Sequence, residues 1–258
     1  DGAFGSITED KLGLGVHIKH TTQLSVIDTE NIRQRKFKVA VDAVNGAASS
    51  ALPQLLTSFG CEVTEIYCNA DGKFPRGAEP LPHNLKDLGE AVRSSKSHVG
   101  FATDPDGDRL AVVDEKGHPI GEEYTLTICA DGLLAKLDVV PPLVTNLSTT
   151  MALDRMAIKY KNTVERSAVG EINVVNLMKE KNAVIGGEGN GGVILPESHY
   201  GRDSLVGTAL FLNRMVQTEK SVSDIFKSQP QFHMVKEKIN LGGIDPDFAL
   251  TSIAAKFT

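Results

Sequence analysis

The chain has 258 residues and a formal net charge of -6 at pH 7. A nucleic-acid binder needs a clustered excess of Lys and Arg to offset phosphate, and the densest basic run here, Arg33-Gln34-Arg35-Lys36-Phe37-Lys38, reads as the solvated end of a helix handing over to a strand. No apolar stretch approaches the roughly 18–20 residues that cross a bilayer, and Cys61, Cys68 and Cys129 form no disulfide framework, which points to a cytoplasmic protein with reduced thiols, neither a nucleic-acid nor a membrane binder.

Residues 1–34 lack a helical cap pattern and a strand-length apolar run, and read as the tail of a preceding domain. From Phe37 the pattern sharpens. Residues 38–42 are a buried strand, 47–60 a helix with Leu52, Leu55, Leu56 and Phe59 on one face and Gly60 past its end, and 61–67 a second strand. Pro75, Gly77, Pro80 and Pro82 forbid a regular element and predict a long ordered loop. A helix over 85–95, strands over 98–103 and 110–114, and a helix over 122–137 complete the unit. After Pro141-Pro142 the series returns: strand 143–146, helix 150–160, strand 162–166, helix 170–181, strands 183–186 and 193–195, helix 203–217. The expected fold class is therefore α/β, two similar three-layer domains with mixed sheets arranged as a repeat of about 100 residues each. The divisions are 35–140 and 141–228, with 229–258 opening a further domain: 232–239 alternates like a strand and 248–257 resembles a helix.

The loop after the fifth element of each copy carries the chemistry. In the first copy it reads Asp104-Pro105-Asp106-Gly107-Asp108-Arg109. Residues two apart in extended chain point the same way, so three carboxylates converge, and a hard divalent cation with oxygen ligands offsets their repulsion. Arg109 stands beside them with a planar fork suited to phosphate, and metal plus arginine is the equipment of phosphoryl transfer. Glu115 stands twelfth from Asp104 as in an EF-hand, but Arg109 occupies the place of the required glycine and strands flank the loop. The second copy has Gly186-Gly187-Glu188-Gly189-Asn190-Gly191-Gly192. Five glycines bring backbone close to a ligand and leave Glu188 and Asn190 as the only side chains, a carboxylate and an amide suited to sugar hydroxyls; a plain flexible turn is the alternative. A dinucleotide loop would run straight into a helix, whereas Val193-Ile194-Leu195 follows.

Three weaker signals remain. Arg166-Ser167-Ala168-Val169-Gly170-Glu171 ends a strand and opens a helix, which makes it either an anion-binding start or an ordinary one capped by Ser167. His199 and Arg202-Asp203 precede the final helix, where Asp203 could serve only as a cap. His17, His20, His83 and His98 show no metal-ligand spacing and read as surface or packing residues.

These loops resemble those of the α-D-phosphohexomutase superfamily. Its metal loop is Asp-Gly-Asp-Gly-Asp-Arg, from which this chain departs only at Pro105, and its sugar loop is Gly-Glu-x-Ser-Gly-His, here Gly187-Glu188-Gly189-Asn190-Gly191-Gly192, with Asn for Ser and Gly for His. Ser167-Ala168-Val169-Gly170 is similar to the family's Thr-x-x-Gly. The resemblance covers residues 37–228 and implies the second and third of four domains. It implies Mg²⁺ on Asp104, Asp106 and Asp108, Arg109 against a phosphoserine, and a hexose phosphate held by Glu188, Asn190, Gly189, Gly170 and Glu171. The reaction implied interconverts hexose 1- and 6-phosphates through a hexose 1,6-bisphosphate, with the remaining domains of the same enzyme as partners. No stretch matches the family's phosphoserine loop or its loop for the substrate phosphate, so this chain alone is expected to bind without turnover. Two other readings stay open: a metal-dependent phosphatase or phosphotransferase, although the haloacid-dehalogenase pattern would place Thr where this loop has Arg109, and a non-catalytic sugar-phosphate module.

Overall fold

The computed structural model describes residues 5, 6, 8, 12–138, 141–235 and 240–257. The repeat is plainest in the sheets. The first comprises β1 (Lys38–Asp42), β2 (Glu62–Ile66), β3 (Val99–Thr103) and β4 (Leu110–Val113) in the order β2-β1-β3-β4. Its strand β1 runs parallel to β2 and β3, and β4 antiparallel to β3. The second comprises β5 (Leu143–Asn146), β6 (Val164–Ser167), β7 (Gly186–Gly187) and β8 (Val193–Ile194) in the order β6-β5-β7-β8, with the same pattern of directions. Two α/β domains with mixed four-stranded sheets are thus present, as the sequence predicts.

Around the first sheet lie α1 (Gly13–Thr22), α2 (Thr29–Arg35), α3 (Ala48–Ser58) and α4 (Lys86–Ser95). Then come α5 (Glu123–Leu134), α6 (Ala152–Lys159), α7 (Glu171–Lys181), α8 (Ser204–Thr218), α9 (Val222–Lys227) and α10 (Pro246–Phe257). Alternation along the strands decides the layers. Ala40, Ala102, Ala111 and Val113 pack under Leu88 and Val92 of α4, while Val39, Val41, Phe101 and Val112 face the opposite way. In the second sheet Val144 and Ile194 lie beneath Val174, Val175 and Met178 of α7.

The opposite side of the first sheet belongs to one large core that α8 threads. Phe211 of α8 is fully buried and meets Phe101 edge to face at 5.9 Å; burying such a ring contributes about 1.5–3 kcal/mol. Because α8 contacts α1, α2, α3 and α5 as well as β4 and β8, it ties the copies together. The sheets also meet directly: the Leu110 N–H donates to the Gly191 carbonyl at 3.0 Å, and Arg109 and Gly192 form an antiparallel bridge.

Several expectations need correction. Residues 13–35 hold two helices. The side chain of Leu12, before α1, cannot cap, so no local start signal marks that helix, and burial of Ile18 and Thr21 holds it in place. Asp28 does cap α2, accepting from the Asn31 N–H. The strand expected over 183–186 shrinks to Gly186–Gly187, and the helix expected to reach 137 ends at Leu134. Ser167 is the last residue of β6 and caps nothing; the cap position of α7 is Gly170, at φ +116°, which a side chain rarely adopts. Residues 232–235 join no ladder, and 236–239, the rest of that expected strand, lie outside the described residues. The terminal helix forms as expected.

Candidate functional site

The aspartate loop leaves β3 and returns as β4, so the sheet fixes both its ends. Asp104 is fully buried, and its Oδ1 accepts from the N–H groups of Asp108 (3.2 Å) and Arg109 (3.1 Å) while its Oδ2 pairs with the Arg109 Nε. Those bonds curl the loop round, with Gly107 at φ +77° making the turn. The Pro105 carbonyl accepts from Ala47 N–H at 2.8 Å, and Ser204 at the start of α8 donates to the Gly107 carbonyl at 2.6 Å. Asp106 is exposed and Asp108 half-buried.

Carboxylate oxygens of Asp104, Asp106 and Asp108 lie within 4.8 Å of one another. Burial pushes the Asp108 carboxyl up to about 6; the charge of Asp104 adds to the rise and Arg202 opposes it. Asp106 is raised by burial, by its hydrogen bond with Asp104 and by the charge of that residue. Burial disfavours the charge on Asp104 as well, but hydrogen bonds from the Arg109 backbone and guanidinium outweigh it and hold that carboxyl below its usual value. The Asp108 Oδ1 is buried without a hydrogen-bond partner. An oxygen-only donor set with an orphaned carboxylate oxygen fits a hard dication such as Mg²⁺. Asp106 and Asp108 are its more available ligands, since both oxygens of Asp104 already serve the loop.

Arg109 is locked on its other side by Glu79, with the Nη1–Oε2 pair reinforced by Nη2–Oε1 at 3.2 Å. Glu79 belongs to the proline-rich loop, which Arg76 anchors. The Arg76 Nε donates to Asp42 Oδ2 at 2.6 Å and its Nη2 to the Thr103 carbonyl at 2.6 Å. Both side chains of that pair are buried, at 3% and 0% exposure. Sequence reasoning missed Arg76, Glu79 and Asp42; their separation along the chain hides the pairing.

The glycine loop joins β7 to β8, and contact explains its glycines. A Cβ on Gly187 would meet the Gly192 carbonyl at 2.0 Å, and one on Gly191 would meet the Leu110 carbonyl at 2.4 Å. Glu188 is only 4% exposed. Its Oε1 accepts from Asn146 Nδ2 at 2.7 Å, and its Oε2 from Arg202 Nη1 at 2.8 Å and Asn190 Nδ2 at 3.3 Å. Gly189 N–H donates to Thr149 Oγ1 at 2.9 Å. The loop is therefore built, and a merely flexible turn does not describe it.

Arg202 joins the two loops. Its Nη2 donates to Asp108 Oδ2 at 2.5 Å, its Nη1 to Glu188, and its backbone N–H to Glu171 Oε1 at 2.8 Å. Asp108 of the aspartate loop, Glu188 of the glycine loop and Glu171 at the start of α7 thus meet one guanidinium. Asp203 does cap α8, its Oδ1 accepting from Leu205 N–H at 2.7 Å and Val206 N–H at 3.1 Å. Arg166, by contrast, spends its guanidinium on the carbonyls of Asn146, Thr149 and Thr150 and on Asp154, shaping the turn after β5. A cavity of about 260 Å³ opens beside the aspartate loop, with Asp106, Asp108, Arg202, His17 and His199 on its walls.

Comparison with known proteins shows the family to which these domains belong. Residues 16–117 match the model of phosphoglucomutase/phosphomannomutase α/β/α domain II, and residues 121–232 that of domain III. The phosphoglucomutase/phosphomannomutase of Thermococcus kodakarensis is 36% identical over 218 residues, 84% of this chain and 48% of that protein. The phosphoglucosamine/phosphogalactosamine mutase of Sulfurisphaera tokodaii is 29% identical over 220 residues, 84% of this chain and 48% of its own length. Among solved structures, a candidate phosphomannomutase from Thermus thermophilus superposes with TM-score 0.78 at 25% identity, over 86% of this chain and 51% of that one. The chain spans about half the length of the curated relatives it matches. It belongs to the phosphoglucomutase/phosphomannomutase family and carries that family's second and third α/β/α domains.

Proposed function

We propose that this chain supplies the metal-binding and sugar-binding domains of a phosphohexomutase, which interconverts hexose 1- and 6-phosphates by way of a phosphoserine and a bisphosphorylated sugar. The observation that carries the reading is Arg202, bound at once to Asp108 of the aspartate loop and Glu188 of the glycine loop. Two loops at equivalent places in a repeat need not face each other; here they share a guanidinium.

Asp104, Asp106 and Asp108 would hold Mg²⁺, which when bound offsets the charge of a transferring phosphoryl group. Asp104 keeps the loop closed around that position through its backbone bonds and its pair with Arg109. Arg109, held by Glu79 and Asp104, would meet the phosphoserine through the two guanidinium N–H groups those pairs leave over. Glu188 and Asn190 take the sugar hydroxyls, with Gly189 and the start of α7 at Gly170 and Glu171 forming the rest of the cradle. Arg202 is the group that would exchange partners: with Mg²⁺ held by Asp108 and a sugar hydroxyl donating to Glu188, its guanidinium would be freed for an anionic ligand. Substrate, bisphosphate and the enzyme's other domains are the partners this scheme requires. Among the described residues no helix is long and apolar enough to cross a membrane.

A mutase assay on the full-length gene product, primed with hexose 1,6-bisphosphate and Mg²⁺, tests the reading. Interconversion of 1- and 6-phosphates should fall by about 10²–10³ in Asp108→Ala, the scale of losing one charge-stabilising group. Release of inorganic phosphate without isomerisation would make it a phosphatase instead, and ligand binding without any turnover a binding module.

A further inference from the structure

Outside the aspartate loop, one cluster among the described residues brings together donor groups distant in sequence. His17 lies on α1, while His199 and Asp203 lie on the segment leading into α8. The Nε2 atoms of both imidazoles converge on a single oxygen, Asp203 Oδ2, at 2.8 Å from His17 and 2.9 Å from His199. The other carboxylate oxygen, Oδ1, is held by the first N–H groups of α8, so the helix aims Oδ2 outward. Asp203 is buried, whereas the imidazoles are 33% and 44% exposed, and all three residues border the 260 Å³ cavity that also contains Asp106 and Asp108.

We propose that His17, His199 and Asp203 form a second metal site, for a borderline transition-metal dication of the Zn²⁺ class, distinct from the hard-cation site of the aspartate loop. Three features argue for this class. Two imidazoles and one carboxylate are the donor set that zinc and its neighbours take and that Mg²⁺ does not. Their donor atoms lie within 4.8 Å of one another, so small side-chain adjustments reach the roughly 3.3 Å spacing of a tetrahedral site with bonds near 2.0 Å. Finally, Asp203 is pre-oriented by two backbone N–H groups, the kind of outer support that fixes metal-ligating carboxylates. Three protein ligands leave a fourth position open toward the cavity, where water or a phosphate oxygen can bind. Binding releases whatever protons the imidazoles hold and pins α1 to the start of α8.

Titration of the metal-free chain with Zn²⁺, followed by calorimetry, tests the site. The expected result is one Zn²⁺ bound per chain in excess Mg²⁺, with affinity unchanged in Asp106→Asn. His199→Gln should weaken it by more than about 100-fold, beyond the roughly 10–100-fold that loss of an outer-shell hydrogen bond gives. The double variant His17→Gln with His199→Gln should abolish it. His199 is a half-exposed loop residue, so these variants should stay folded; thermal melts in chelator confirm that before titration. Zn²⁺ should also raise the melting temperature of the parent chain and leave that of the double variant unmoved. Unchanged stoichiometry in the folded double variant, or binding that disappears in Asp106→Asn, would overturn the proposal and assign zinc to the aspartate loop.

Discussion

Replacing Arg76 with Met leaves the Asp42 carboxylate in a fully buried position without its cation. In the intact chain Arg76 is 3% exposed and Asp42 0%, and the guanidinium donates to Asp42 at 2.6 Å, to the Thr103 carbonyl at 2.6 Å and to the Gly77 carbonyl at 3.2 Å. Among the described residues only the Val44 N–H, at 2.9 Å on Oδ1, remains for Asp42. Breaking a buried pair from one side costs about 3–5 kcal/mol, which for a chain of this size lowers the melting temperature by roughly 6–20 °C. The penalty should depend on pH. Burial already pushes the Asp42 carboxyl above its ordinary value, with Arg76 opposing that rise, and removing Arg76 raises it further. The folded variant then binds a proton more tightly than the unfolded chain, so its stability increases as pH falls from neutral toward the ordinary carboxylate range near about 4. Denaturant unfolding of both proteins at pH 7 and pH 4.5 should give a deficit that is larger at pH 7. Asp42→Asn on the Arg76→Met background should recover part of it, because the amide carries no charge. A deficit below about 1 kcal/mol, or one equal at both pH values, would refute the view that an uncompensated buried charge is the cause.

Calorimetric titration of this chain with Mg²⁺ should show one weak site, and Asp106→Asn combined with Asp108→Asn should remove it; unchanged binding would place the ion elsewhere. Gly191→Ala should destabilise the chain by about 1–3 kcal/mol, since the residue sits at φ +92° and its new methyl group would press on the Leu110 carbonyl, next to the Leu110 N–H whose bond to the Gly191 carbonyl joins the two sheets; thermal melts read the loss. Arg202→Ala should leave the fold intact but weaken binding of a hexose phosphate to this chain by about tenfold, followed by titration calorimetry, because the anion loses a charge-assisted donor. This chain alone should not interconvert hexose 1- and 6-phosphates in the presence of bisphosphate and Mg²⁺, whereas the full-length gene product should; turnover by the chain that vanishes in Asp108→Ala would mean that one of its own residues carries the phosphoryl group.

Period and punctuation were enough to read the repeat. Alternating valines in 38–42, an unbroken apolar run in 110–113, leucines at helical spacing in 48–58, and the glycines and prolines between them state a local preference that packing did not reverse. The aspartate loop was equally legible as a motif, although its carboxylates meet through a turn held by Asp104 and Gly107 and not through an extended segment. Elements without a local signal were not: α1 has no capping side chain before it, and β7 is a pair of glycines whose strand geometry exists only through β5 and β8. Partnerships across long separations were beyond sequence as well. Arg76 with Asp42, Glu79 with Arg109 and His17 with Asp203 are each joined by how the layers stack, and no spacing rule encodes them. Arg202 is the clearest case. Its sequence position marks only a helix approach, but α8 packs between the two domains, so a residue two positions before that helix reaches Asp108 on one side and Glu188 on the other. Local chemistry therefore determined which groups this protein offers, and the shared helix decided which of them meet, because only tertiary packing sets distances between residues far apart in the chain.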